Sequence, residues 1–500
     1  PFSRELYAED FSDAGRGAFF ALCEQAEVLQ VPLLPGNTQS DIAAHGEARD
    51  HQYAEAGVFI ASHCHILLAL WDGRPSELTG GTAQTVRYQL EGVLPGSIGG
   101  RRDTRPLYDR GDESLIYHIA CSREDAATGI QPPLPPLQPL QARWLNQSGS
   151  RPARAGLPDE FVRIFRHMVQ FNTDAQRYRA RIDGRAEPPT PIPSRAPARG
   201  PLDELFGATD WLAMHFRKRV VMGMRGIHVL AALMAIAFVG YSDLSGDALS
   251  RALLLYLFLA LFAAGVVLDR VAKKREWHRK YIDYRALAEG LRVQRYWRRA
   301  GIAASDSVAF AHDNFLQKQD IELGWIRNIM RVAGLRMLEC GAVTDDTLDT
   351  VIDEWIGTAG SGGQLDYYTH RSDERSRARQ AAQGVSRFCL WSSISVGVVL
   401  AVFDHLFDAG TITYLVMVIS VLAIAAAARE SYAWRRADKE LIKQYRFMRN
   451  IFAGARAALN AETDPQGRRD ILGALGEAAL AEHAEWALMH RERPLEHGKL

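Results

Sequence analysis

Residues 226–242 read GIHVLAALMAIAFVGYS, a run without Asp, Glu, Lys or Arg. Three further stretches share that property: 252–268, 388–403 and 409–428. The four are 17, 17, 16 and 20 residues long. A helix needs roughly 17–25 mostly apolar residues to cross a bilayer. A core helix of a soluble protein is the alternative reading, but a soluble helix of this length carries a polar face that these runs lack. Val220, Val221 and Met222 extend the first run further. The pattern predicts an all-α membrane region with four transmembrane helices in two hairpins, and long cytosolic helices attached.

Charge placement gives these helices an orientation. Arg217, Lys218 and Arg219 precede the first run, and Arg270, Lys273, Lys274, Arg275, Arg279 and Lys280 follow the second. Arg371, Arg375, Arg377, Arg379 and Arg387 precede the third, and Arg429, Arg435, Arg436 and Lys439 follow the fourth. The turns DLSGDALS (243–250) and DHLFDAG (404–410) each hold two Asp and no Lys or Arg. By the positive-inside bias these two turns face outward. The expected location is a bacterial inner (cytoplasmic) membrane, multi-pass, with both termini in the cytoplasm. No ionisable residue falls at mid-run except His228 near one end, which argues against a proton-coupled transporter. Asp404, His405 and Asp408 read as a solvated turn.

Lys plus Arg and Asp plus Glu both number 59 in the 500 residues, so no overall basic field points to nucleic acid. Cys23, Cys64, Cys121, Cys340 and Cys389 form no C-x-x-C and read as reduced thiols. His63 and His65 flank Cys64 without the further ligands zinc needs, so packing roles are expected. The chain opens on Pro1, and a preceding segment is expected.

The first quarter reads as alternating α and β. Helices are expected over 17–29 and 53–63, an apolar strand buried on both faces over 65–71, a helix over 82–92 and a second apolar strand over 115–122. Strand, helix, strand predicts a doubly wound, Rossmann-like α/β sheet with ligands at the carboxyl ends of its strands. The prolines of QPPLPPLQP (131–139) predict a stiff linker. An amphipathic helix follows over 157–182, then a second proline-rich linker over 187–201. The expected divisions are 1–130 (nucleotide-sensing domain), 131–200 (linkers around the amphipathic helix), 201–300 (first hairpin and cytosolic helix), 301–370 (cytosolic helices), 371–460 (second hairpin and cytosolic helix) and 461–500 (helical tail). The two hairpin regions resemble a duplication, with basic exits at 275–297 and 432–452 that continue from their spans.

The candidate ligand site lies in ILLALWDGRPSELTGGTAQTV (66–86). Gly80 and Gly81 permit close approach of backbone to a phosphate, and the helix opening at Thr82 and Ala83 offers unpaired N–H groups. Thr82 caps that helix or bonds a phosphate oxygen. Trp71, Asp72 and Gly73 at the strand end form the opposite lip. Alone, a Gly-Gly-Thr turn is equally a tight strand-to-helix connection.

The stretch YAEAGVFIASHCHILLALWDG with GGTAQTV downstream, and the opening PFSRELYAEDF with Tyr7, Asp10 and Phe11, resembles the SLOG superfamily over roughly residues 1–125. That resemblance implies a Rossmann-like domain binding a nucleotide or cyclic-nucleotide-type ligand, with its first strands ahead of Pro1. The membrane region, and GQLDYYTHRSDERSRARQ (363–380) above all, resembles SLATT-class two-span effector domains. Those are linked to pore formation in bacterial conflict and antiviral defence systems. Phosphoribohydrolases of the LOG type carry P-G-G-x-G-T-x-x-E. Here Thr79-Gly80-Gly81-Thr82-Ala83-Gln84 lacks the Pro, the inner Gly and the Glu. A non-enzymatic sensor is therefore expected, with no catalytic residue and no metal. A ligand-gated membrane effector working as a homo-oligomer is the leading reading. A membrane-tethered nucleotide-processing enzyme and a protein-binding scaffold are the alternatives.

Overall fold

The computed structural model describes residues 1–76, 78–92, 114–125, 129–184, 200–243, 248–302, 315–316, 321–335, 345–358, 360, 362–435 and 438–492. Residues 187–199 of the second proline-rich linker, Cys340 and residues 244–247 of the turn between the first two apolar runs lie outside them. The chain forms two compact units: residues 1–181, 189–202 and 297–343 in one, and 182–188, 203–296 and 344–500 in the other.

The first unit opens with α1 (Arg4–Ala8) and α2 (Asp13–Gln25). Ser12 Oγ accepts the Gly15 N–H at the start of α2, so the helix begins four residues before its apolar pattern. Next come α3 (Gln39–Ala43), α4 (Glu47–His63), β1 (Leu67–Trp71) and α5 (Thr82–Glu91), which ends where Gly92 turns left-handed at φ 70°. Then follow β2 (Ile116–Ala120), the small hairpin β3 (Arg123–Asp125) and β4 (Gly129–Gln131), the hairpin β5 (Ala142–Asn146) and β6 (Gly149–Pro152), and helices α6 (Asp159–Arg177) and α7 (Arg179–Asp183).

The main sheet has the order β1-β2-β5-β6. Only β1 and β2 are parallel; β5 and β6 join antiparallel. A small mixed sheet therefore stands where the sequence predicts a doubly wound one. A parallel strand–helix–strand unit (β1, α5, β2) is present in it. The prolines at 131–139 do not form an extended linker. They fold across the strand ends, where Leu134 N–H donates to Asp72 O at 2.7 Å and Leu140 N–H donates to Ala120 O at 2.7 Å. Those carbonyls lie just past the end of β1 and at the end of β2, and need donors. The strap returns the chain to the sheet as β5, so the sheet runs past residue 130.

Strand β1 is buried on one face only. Leu67 and Ala69 pack with Val86, Ile116 and Leu145 under α5, whereas Leu68 and Leu70 are 71% and 66% exposed. The expectation of burial on both faces fails, because among the described residues helices cover a single side.

The second unit holds the long helices: α8 (Pro201–Asp243), α9 (Ala248–Lys274), α10 (Trp277–Ala300), α12 (Asp345–Trp355), α13 (Gly363–Phe403), α14 (Ala409–Arg435), α15 (Asp438–Ala461) and α16 (Pro465–Glu492). The intervening α11 (Gly324–Gly334) belongs to the first unit. Among the described residues four helical stretches are long and apolar enough to cross a membrane, and they fall in α8, α9, α13 and α14. Their most apolar windows bury only 22%, 0%, 6% and 6% within the chain. Bare apolar helix surface on this scale needs lipid or another chain as solvent.

Outside its apolar stretch α8 joins a packed bundle with helices that carry no apolar run. Leu212 and Phe216 of α8, Leu287 and Leu291 of α10, Trp355 of α12, Phe452 of α15 and Leu472 of α16 are all at most 2% exposed. Helix α10 runs back along α8: Phe216 meets Tyr284 at 5.6 Å, and further along, Arg292 lies over Phe206 at 5.5 Å. The exit at 275–297 does not continue unbroken from its span. Glu276 takes φ 50°, off the helical range, and separates α9 from α10. The uninterrupted rods are instead α8 and α13, at 43 and 41 residues.

Candidate functional site

Trp71 ends β1. Its carbonyl accepts the Cys121 N–H at 3.1 Å and a hydrogen bond from His118 Nε2 at 2.9 Å, while its indole N–H donates to Arg74 O. His118 is fully buried in β2, and its Nδ1 accepts the Arg143 Nε–H from β5 at 3.0 Å. Burial holds the His118 imidazole below its ordinary pKa, and the adjacent Arg143 charge adds to this against the opposing effects of Trp71 O and Asp72. A neutral His118 thus ties three strands together beneath the site. Sequence reading missed it, although its place inside an apolar strand was a signal.

Asp72 is 7% exposed. Its Oδ1 accepts the Arg74 N–H at 3.0 Å, and its Oδ2 is buried without a partner among the described residues. Gly73 takes φ 83°, and a Cβ there would lie 3.3 Å from Leu134 Cβ, so the proline strap presses on this lip.

The second lip has a different logic from the one the sequence predicts. Gly80 takes φ 82° and backs onto α4, where a Cβ would lie 2.7 Å from Tyr53 Cβ and 2.8 Å from Asp50 O. Its N–H donates to Gln84 Oε1 at 2.6 Å. Gly80 is therefore glycine for packing, and its N–H is already taken. Gly81 is the N-cap of α5 at φ −81°, with only Leu78 O at 3.7 Å from an added Cβ. Thr82 does not cap the helix by its side chain. The N–H groups of Gln84 and Thr85 reach Gly81 O at 3.1 Å each. Among the described residues no acceptor meets the N–H of Thr82 or Ala83. The seven predicted residues thus share one end of the β1–α5 unit, but no hydrogen bond joins Trp71–Asp72–Gly73 to Gly80–Gly81–Thr82–Ala83.

The opening segment converges on the same place. The rings of Phe11 and Phe19 each meet Tyr7 edge-on, at 5.1 and 5.3 Å. Asp10 Oδ2 accepts from Arg49 at 2.7 Å and from Tyr53 Oη. Burial alone would raise the Asp10 carboxyl, but the hydrogen bonds from Arg49 and Tyr53 and the Arg49 charge hold it below its ordinary value. Arg49, 3% exposed, also donates to the carbonyls of Leu6 and Ile42. The ion pair fixes α4, and α4 fixes Gly80 through Tyr53.

A second cluster, in the other unit, was read in sequence only as a basic helix. Along α10, Glu289 accepts from Arg285 and from Arg292 at 2.8 Å, and Arg285 reaches Asp210 of α8 at 3.4 Å. Burial opposes ionisation of Glu289, yet the Arg285 and Arg292 charges pull its carboxyl down to about 2. On α16, burial and then the charges of Glu289 and Glu485 push Glu482 up to about 8. Next to it burial drives the His483 imidazole down to about 3. Tyr368 and Tyr445, on α13 and α15, lie 5.8 Å apart, and burial first among the causes pushes the Tyr445 phenol up to about 12. The i,i+4 spacing of Arg285 and Glu289 was legible in sequence. Their burial was not.

No family model matches the chain, and no match was found among curated proteins or solved structures.

Proposed function

We propose that this chain is a nucleotide-sensing membrane effector: the α/β unit takes a phosphate-bearing ligand, and the four apolar helices respond by raising membrane permeability. The observation that carries the reading is the continuity of α8 and α13, each a single helix that is bundle at one end and span at the other. A rigid rod transmits at its membrane end any tilt imposed at its packed end. The ligand lies at the C-terminal end of β1, with its phosphate on the Thr82 and Ala83 N–H groups and the Asp72 carboxylate taking a ribose hydroxyl or a base amino group.

The domain is SLOG-like in this reading and the hairpins are SLATT-like. Both termini are cytoplasmic, and the effector belongs to a bacterial conflict or defence system. The bare span surfaces favour assembly of several copies, since four helices without mid-run charge make no aqueous pore alone. A ligand shifts the helices only by binding one arrangement more tightly than the other. The test is a thermal-shift screen of mono-, di- and cyclic nucleotides on the full-length protein, followed by dye release from liposomes carrying it. A ligand that stabilises the fold should also change release. A bound nucleotide that leaves release unchanged across lipid compositions and voltages refutes the effector reading.

A further inference from the structure

The ends of the first and fourth apolar runs meet at one level. Arg225 immediately precedes the first run, and Arg429 immediately follows the fourth. Between α8 and α14, Arg225 Nε–H donates to Tyr432 Oη at 3.2 Å. One turn along α8, His228 stands edge-on to the same tyrosine ring at 5.4 Å, and its Nε2 lies 3.4 Å from Ser431 Oγ. His228 Nδ1 donates to Met224 O at 2.8 Å, which leaves Nε2 to accept from the Ser431 hydroxyl. The imidazole is thereby oriented, and it holds the phenol in place.

This arrangement commits only one edge of the guanidinium. The two terminal nitrogens of Arg225 meet no acceptor among the described residues, and the side chain is exposed. They form a planar pair of donors, the geometry that binds a phosphate through two parallel hydrogen bonds. Arg429 lies one turn before Tyr432 on the same face of α14. The acid between them, Glu430, is two residues from Tyr432 and projects from another side of α14. The α8 surface beside Arg225 is apolar: Met222 and Val229, one turn to either side, are 62% and 57% exposed, and Trp434, on the same side of α14 as Glu430, is 66% exposed. An exposed cation at the rim of a lipid-facing apolar surface is where a side chain reaches the headgroup layer, and Trp prefers that layer as well.

We infer that Arg225, held by Tyr432, is a binding site for the phosphate of an anionic phospholipid headgroup at the seam between the first and fourth spans. The inference rests on the membrane location of the four helices and not on a nucleotide ligand, so it stands or falls separately from the sensor reading. A lipid bridging this seam would bias how the two hairpins pack.

The experiment is native mass spectrometry of the full-length protein, released from detergent and titrated with phosphatidylglycerol or phosphatidylcholine. Wild-type protein should retain phosphatidylglycerol in preference to phosphatidylcholine. Arg225→Gln should weaken the first phosphatidylglycerol by about tenfold, the loss expected for one bidentate charged contact. Tyr432→Phe, which keeps the charge but releases the guanidinium, should weaken it less. Inorganic phosphate at matched phosphorus concentration should not displace the lipid. Equal retention of both lipids, or unchanged phosphatidylglycerol binding by both variants, overturns the site. Displacement by inorganic phosphate shows a free-anion site and overturns the lipid assignment. If Arg225→Gln does not fold, the Tyr432→Phe result decides.

Discussion

Replacing Glu482 by Gln should stabilise the helical bundle in alkaline solution and change little in acid. Partial burial and then the charges of Glu289 and Glu485 push the Glu482 carboxyl up from its ordinary 4.5 to about 8. The folded chain therefore holds a proton there that the unfolded chain has already released. Between those two values the folded state binds more protons, so stability falls as pH rises. The contribution is fully present below about 4.5 and lost by about 8. At ~1.36 kcal/mol per pH unit the limit is about 5 kcal/mol. Glu482 is partly exposed and shares its field with Glu289, which brings the expected figure to about 2–3 kcal/mol. Gln resembles the protonated carboxyl and does not titrate. Thermal unfolding of the full-length protein and of Glu482→Gln, in one detergent at pH 5 and pH 8.5, measures the difference. The two proteins should melt close together at pH 5 and separate by about 4–10 °C at pH 8.5, with the variant higher. A melting difference that is the same at both pH values refutes the reasoning, because a purely steric effect of the substitution has no pH slope.

The two glycines of the candidate site should part company. Gly80→Ala must place a Cβ at φ 82° and within 2.8 Å of Asp50 O, costing about 2–4 kcal/mol, whereas Gly81→Ala at φ −81° should cost under about 1 kcal/mol; chemical denaturation of the two variants compares them, and equal losses would sink the packing account of Gly80. For orientation, a cysteine at Ala409 in a cysteine-free background should react with an impermeant maleimide in intact cells while one at Ser361 stays unreacted; the reverse pattern excludes the proposed topology.

Sequence alone determined the parts whose signal is local. Four charge-free runs of bilayer length specify four apolar helices wherever they sit, because backbone hydrogen bonding in hydrocarbon leaves a helix as the one solution for a single run. The β1–α5–β2 order was legible for the same reason: an apolar strand, a glycine pair and a helix start are neighbours in the chain. What the tertiary structure decided depends on residues far apart. QPPLPPLQP read as a linker, since proline disfavours regular structure locally, yet the strand-end carbonyls of Asp72 and Ala120 recruited it as a strap. Leu68 and Leu70 read as buried, because an apolar strand does not reveal which of its faces finds a helix. Gly80 read as a phosphate-cradle glycine, but contact with Tyr53 and Asp50 on a helix some thirty residues earlier sets its need for no side chain. The stretch 275–297 read only as a basic exit, and the packing that buries the charges of Arg285 and Glu289 comes from neighbouring helices that no single stretch of sequence contains.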